Sequence, residues 1–124
     1  MHRDDPALAT ELTELRWQPV CALDAIWPNT GVCALLEGHA IAIFRFTDAQ
    51  GQDRLFALDN LDPKSGASVL SRGLVGNLGD RLVVASPLYK QHFCLETGLC
   101  LEAPEQALRA YPVRIDGGQV LVAH

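Results

Sequence analysis

The sequence predicts an all-β fold: a small β-sandwich of short antiparallel strands and hairpins, with at most one or two short helical turns. Three observations predict it. Turn residues recur at intervals of roughly 8–12 residues, the spacing of sandwiches and barrels. About nine short apolar runs lie between them, several alternating apolar and polar positions as strands do. The run Tyr111, Val113, Ile115 is followed by Asp116-Gly117-Gly118 and then Gln119 to Ala123. Asp-Gly between alternating runs is a strong hairpin signal.

Taken in order, Met1 to Leu15 offers at most a short helix over Pro6 to Leu15, and its apolar positions are few. Residues 1–16 are expected to be a flexible segment ahead of one domain over 17–124. Trp17 to Leu23 reads as the first strand, and Pro28, Asn29 and Gly31 as loop chemistry after it. Val32 to Leu36 and Ala40 to Phe46 read as a hairpin around Glu37-Gly38-His39. Its second arm is apolar on both faces, as a central strand is. A polar turn from Asp48 to Asp53 leads to a strand over Arg54 to Asp59. Asn60 to Gly79 reads as one long irregular loop, punctuated by Pro63, Gly66, Gly73, Gly76 and Gly79. Loops beyond about 12–15 residues are usually functional or mobile. Arg81 to Ala85 is a strand. Lys90 to Leu95 and Leu99 to Glu102 read as a second hairpin around Glu96-Thr97-Gly98, and Ala103 to Ala110 as one or two helical turns.

The composition narrows the function. A chain of 124 residues fits one domain and buries enough surface to fold without metal or disulfide. Its net charge of −5 argues against a nucleic-acid binder and against an anionic membrane surface. No run of about 18 apolar residues is present to span a bilayer. The acidic start, with Asp4, Asp5, Glu11 and Glu14, is unlike a signal peptide, so a cytoplasmic protein is expected. Cys21, Cys33, Cys94 and Cys100 are then expected as reduced thiols, most of them filling core space. Glycine-rich nucleotide loops and Cys-x-x-Cys pairs are lacking. His92, Cys94 and Cys100 offer a weak zinc alternative, since on a strand they can share a face.

The informative stretch runs from Phe56 to Glu102. It reads Ala57-Leu58-Asp59-Asn60, then Asp62-Pro63-Lys64, Gly66-Ala67, Leu70 and Gly73. After a strand come Ser86-Pro87-Leu88-Tyr89, then Phe93 and Thr97-Gly98. This order resembles the Rieske ferredoxins. In that family a Cys-Pro-His loop and a Cys-Pro-x-His loop hold a two-iron cluster, two cysteines on one iron and two histidines on the other. On this chain the resemblance puts Asp62 and Ser86 at the cysteine positions, and Lys64 and Tyr89 at the histidine positions. An ammonium has no lone pair to give, and serine or tyrosine oxygens replace thiolate poorly. The scaffold is therefore expected without the electron-carrying cluster, with no metal, cofactor or catalytic residue in this chain. The gap between the two loops also exceeds the family's usual spacing.

One Rieske-like group is similar over about Trp17 to Val122: the small subunits of assimilatory NAD(P)H-dependent nitrite reductases. The segments that carry the similarity are Asp62-Pro63, Ala67 to Leu74, Ala85 to Leu88, Gly98-Leu99-Cys100 and, most specifically, Lys90-Gln91-His92-Phe93. The resemblance implies a non-catalytic small subunit. It implies a cytoplasmic partner, the large subunit, with siroheme, an iron–sulfur cluster, FAD and NAD(P)H, which reduces nitrite to ammonium. The rival readings are a cluster-free binding module for another redox enzyme and a free-standing ferredoxin of an oxygenase.

Several residues carry specific expectations. Lys64, Arg72, Lys90, Gln91 and His92 form a candidate partner surface, locally basic on an acidic protein. The alternative is a solvated strand edge over Lys90 to His92 with Phe93 in the core, and an Arg72 that caps its own loop. The two vacated loops are expected to lie side by side. Asp62 and Lys64 are expected to pair with each other. The loops are expected to be held by hydrogen bonds among Asp62, Lys64 and Ser86, by stiffening from Pro63 and Pro87, and by Tyr89, which plugs the empty cluster volume as the larger stabilising element. Trp17 and Trp27 are expected in the core or at its rim, and His39 exposed.

Overall fold

Alternating apolar positions on two central strands organise the whole domain. A computed structural model describes residues 16–124, so the segment expected to be flexible over 1–16 lies outside it except for Arg16. Among the described residues the chain forms ten strands, β1 (Trp17–Ala22), β2 (Thr30–Leu36), β3 (His39–Thr47), β4 (Asp53–Asp59), β5 (Leu74–Leu78), β6 (Arg81–Ala85), β7 (His92–Cys94), β8 (Ala110–Tyr111), β9 (Val113–Asp116) and β10 (Gln119–Ala123). They make three antiparallel sheets, ordered β1-β10-β9, β2-β3-β4-β8 and β5-β6-β7. Among the described residues helical structure is confined to single 3-10 turns at Leu23–Ala25, Leu70–Arg72 and Pro104–Gln106. No helix among the described residues is long and apolar enough to cross a membrane.

The four-stranded sheet lies between two cores. Ala42 and Phe44 of β3 and Phe56 and Leu58 of β4 pack with Leu70, Leu82, Val84, Phe93, Leu95 and Cys100. Ile41 and Ile43, on the opposite face of β3, join Ala57, Ile26, Leu36, Tyr111, Val120 and Val122. This is why β3 reads as apolar on both faces: side chains alternate across a strand, and here each face meets its own layer. Arg45, at the end of β3, grips Asp53 with two 2.9 Å hydrogen bonds and donates to the Ile26 carbonyl at 2.8 Å. The Tyr111 hydroxyl donates to Asp59 at 2.6 Å and ties β8 to β4. Burial, then the Asp59 carboxylate, pushes that phenol up to about 12.

Several expectations need correction. Asn60 to Gly79 is not one irregular loop: Leu74–Leu78 forms β5, paired with β6 from Leu74↔Ala85 to Leu78↔Arg81. Its glycines suggested a loop, but β5 is an edge strand and β6 supplies the ladder that local propensity lacks. The second hairpin is shorter than expected. Its first arm is His92–Cys94, and Leu99 to Glu102 contributes only the isolated bridge Phe93↔Cys100. That bridge places Cys100 on the Phe93 face of the strand, opposite His92 and Cys94, which removes the shared face the zinc alternative needed. Cys94 and Cys100 are buried, but Cys33 is exposed, and all four cysteines are free. Trp27 is 77% exposed and so belongs to neither core nor rim, whereas Trp17 lies under the Arg114 guanidinium, 4.3 Å from ring centroid to Cζ. His39 is exposed, as expected.

Thr97-Gly98 closes the hairpin by close approach. The Gly98 amide donates to the Cys94 carbonyl, and Leu108 N–H returns to the Gly98 carbonyl at 2.8 Å. Gly98 has φ +79°, and a Cβ there would sit 2.1 Å from the Leu108 carbonyl oxygen. Gly38, at φ +85°, has open space around it. Gly98→Ala should therefore destabilise the protein by at least about 3 kcal/mol in urea unfolding, from left-handed strain plus backbone overlap. Gly38→Ala should cost about 1–2 kcal/mol, from the strain alone. Equal losses would mean that the approach to Leu108 is not a constraint.

Candidate functional site

Two loops meet at one end of the molecule. The first leaves β4 at Asn60 and returns into β5; the second joins β6 to β7. Asn60 is 1% exposed and anchors the first loop. Its amide donates to Ala40, its carbonyl accepts from Leu70, and its side-chain oxygen accepts from the Ser71 amide at 2.7 Å. Its Nδ2 donates to Cys33 Sγ at 3.4 Å. The sequence marked Asn60 only as part of a strand-end pattern; its role as the hub of the loop becomes visible with the partners in place.

Asp62, with 0% exposure, is the buried charge of the site. Its Oδ1 accepts from the amides of Lys64 at 2.8 Å and Ser65 at 3.2 Å, a turn geometry aspartate favours. Its Oδ2 accepts from the Ser86 hydroxyl of the other loop. Burial pushes the Asp62 carboxyl upward. The hydrogen bonds from Ser86, Lys64 and Ser65, with the Lys64 charge, more than offset this and hold it below the ordinary carboxylate range. Ser86, 1% exposed, is held in turn by Ser86 N–H to the Gln91 carbonyl and Lys90 N–H to the Ser86 carbonyl, both 2.9 Å. At the outer rim Lys64 Nζ lies 4.7 Å from the Tyr89 ring centroid, a cation–π contact.

The four residues that the resemblance puts at the ligand positions thus meet across the loops in two pairs, Asp62 with Ser86 and Lys64 with Tyr89. This corrects two expectations. Asp62 and Lys64 do not spend their side chains chiefly on each other; Asp62 takes the Lys64 amide, and the Lys64 ammonium goes to Tyr89. Tyr89 is not a plug, since it is 51% exposed. The physical reason is distance: where a carboxylate and a hydroxyl touch directly, no ring fits between the loops. The buried hydrogen bonds to Asp62 are worth about 1.5–3 kcal/mol each, against about 0.5–1 kcal/mol for an exposed cation–π pair. The inner pair therefore dominates.

Of the candidate partner surface, Lys64, Arg72 and Lys90 are exposed, while Gln91 and His92 are only half-exposed. The Gln91 carboxamide oxygen is buried. The His92 amide donates to Glu102 Oε1 at 2.8 Å, and its ring Nδ1 lies 2.6 Å from Oε2. Burial pushes the Glu102 carboxyl up, but the hydrogen bonds from His92 hold it below the usual range. Glu102 is the residue that sequence reasoning missed here, because nothing in its spacing announces a partner ten positions away.

A three-sheet β-domain that sets two proline-containing loops side by side at one end, with a Thr-Gly turn after β7, is a Rieske-type domain, and residues 16–123 match the Rieske-like [2Fe-2S] domain family. A nitrite reductase (NADH) small subunit of Salmonella typhimurium is 47% identical over 105 residues, covering 85% of this chain and 94% of that protein. The solution structure of NirD from Escherichia coli superposes with a TM-score of 0.80 at 43% identity, over 89% of this chain and 97% of NirD. A nitrite reductase [NAD(P)H] large subunit of Klebsiella oxytoca is 47% identical over 108 residues, 87% of this chain and 11% of that longer protein. The chain belongs to the Rieske-like family, in its nitrite reductase small-subunit branch. The family's two-iron cluster does not fit the residues present. The buried carboxylate is committed to three donors, its neighbour is an alcohol, and the outer positions offer an ammonium and a phenol.

Because folding lowers the Asp62 pKa, its contribution is fully present above the unfolded value, about 3.9, and is lost as pH falls through the folded value. Asp62→Asn should cost about 1–3 kcal/mol at pH 7 in urea unfolding. The gap between wild type and variant should narrow as pH drops below about 4. A gap that stays constant down to acid unfolding would show that the charge on Asp62 does not hold the loops.

Proposed function

We propose that the chain is the non-catalytic small subunit of a cytoplasmic NAD(P)H-dependent nitrite reductase, and that it docks by its two-loop end onto the large subunit. In this reading siroheme, an iron–sulfur cluster, FAD and the NAD(P)H site belong to the large subunit, which reduces nitrite to ammonium. The observation that carries the reading is the near full-length identity with the Salmonella small subunit. The Klebsiella large subunit supports it from another side: a segment like this chain there forms part of the larger protein, as suits a domain that works in contact with it. An electron carrier would need thiolate and imidazole donors, so the Asp62, Lys64, Ser86, Tyr89 set favours a structural or positioning role over a ferredoxin.

The two-loop end offers Lys64, Arg72 and Lys90 on a protein of net charge −5. Such a local basic face suits an acidic patch on the partner and speeds encounter. Reversing Lys64 and Lys90 together to glutamate should reduce co-purification with the large subunit, and the binding that remains should depend less on salt. A folded double variant with unchanged affinity and salt dependence would place the interface elsewhere.

A further inference from the structure

Beside the Asp62–Ser86 pair a cavity of about 440 Å³ opens between the start of β5 and the β6–β7 loop. Leu74 and Pro87 give it an apolar wall, and Arg72, Lys90 and His92 stand at its rim. We propose that this cavity is a socket for one apolar side chain of the large subunit, carried on an acidic segment whose carboxylate meets Arg72 and Lys90. The socket rests on the docking reading above and adds the chemistry of what enters.

Three observations converge on that occupant. Leu74 is 79% exposed and Leu88 50%, large aliphatic surface left in water next to the opening. An exposed apolar patch rimmed by polar groups is the ordinary signature of a protein contact. Among the described residues neither Arg72 nor Lys90 takes part in an ion pair, although the chain carries 15 acidic residues against 10 basic ones. His92, by contrast, is already held by Glu102, so Arg72 and Lys90, in no ion pair among the described residues, set the charge of the rim. Lys90 itself has φ +57°. That region is strained for a residue with a Cβ, and glycine enters it freely. Strained positions of this kind gather at ligand clamps. A lysine held there, where glycine would be easier, directs an ammonium to the mouth of the cavity. The apolar wall disfavours a purely charged occupant, and the two cations disfavour a basic one.

The test measures binding of the full chain to the purified large subunit across a salt series. Leu74→Ser removes apolar surface without changing charge. It should weaken binding about tenfold and leave the salt dependence unaltered. Lys90→Gly should weaken binding at low salt, with the difference closing at high salt, and its unfolding midpoint should be no lower than that of wild type. Wild-type affinity in Leu74→Ser overturns the socket. If the Lys64/Lys90 reversal still weakens the complex in that case, docking by the loops stands without it. A destabilised Lys90→Gly that binds normally at every salt concentration overturns the role given to Lys90. A wild-type chain that forms no complex overturns both readings.

Discussion

The buried hydrogen bond from Ser86 to Asp62 is the contact on which the rest of the two-loop end depends. It joins the tips of two loops whose bases alone are held by the β5–β6 ladder, at Leu74↔Ala85. A lone buried carboxylate is costly, yet this one is satisfied from three directions, by the hydroxyl and by two amides of its own turn. With that closure in place, Asn60 fixes the first loop onto β3, and the Ser86 backbone curls the second into its own turn. The outer Lys64–Tyr89 contact then follows as a consequence of proximity.

Closure by side chains changes what the fold can do. In a cluster-bearing relative the same four positions spend their donors on iron, and the loops are held by metal. At the positions that the resemblance assigns to the cysteines, a carboxylate and an alcohol satisfy each other, and at those it assigns to the histidines a cation meets an aromatic ring. The domain presents two loops at one end, held by side chains. That end offers shape and charge: exposed Leu74 and Leu88, and a cavity lined by Leu74, Pro87, Arg72 and Lys90.

Much of this was legible in the sequence, and the failures have physical causes. β3 announced itself by apolar positions on both faces, and Asp116-Gly117-Gly118 by turn chemistry; both signals are local. The prolines and Thr97-Gly98 were enough to align the two loops. β5 was hidden because Gly76 within it and Gly73 and Gly79 beside it are loop residues by propensity, and only pairing with β6 makes the segment a strand. The hydrogen bond between Asp62 and Ser86, 24 positions apart, was expected from the alignment of the two loops. The Lys64 side chain was misjudged because sequence shows neighbours along the chain, whereas its ammonium meets the Tyr89 ring across the loops. Tyr89 was expected to be buried on account of its size, but the smaller side chains had already closed the space.

A double-mutant cycle over Asp62→Ala, Ser86→Ala and the combined variant, read by urea unfolding at neutral pH, tests the central claim most directly. If the cross-loop bond closes the site, the two substitutions should be coupled by about 1.5–3 kcal/mol, the range for a hydrogen bond to a charged group. Losses that add to within about 0.5 kcal/mol would contradict it, because the loops would then be held by something other than this pair.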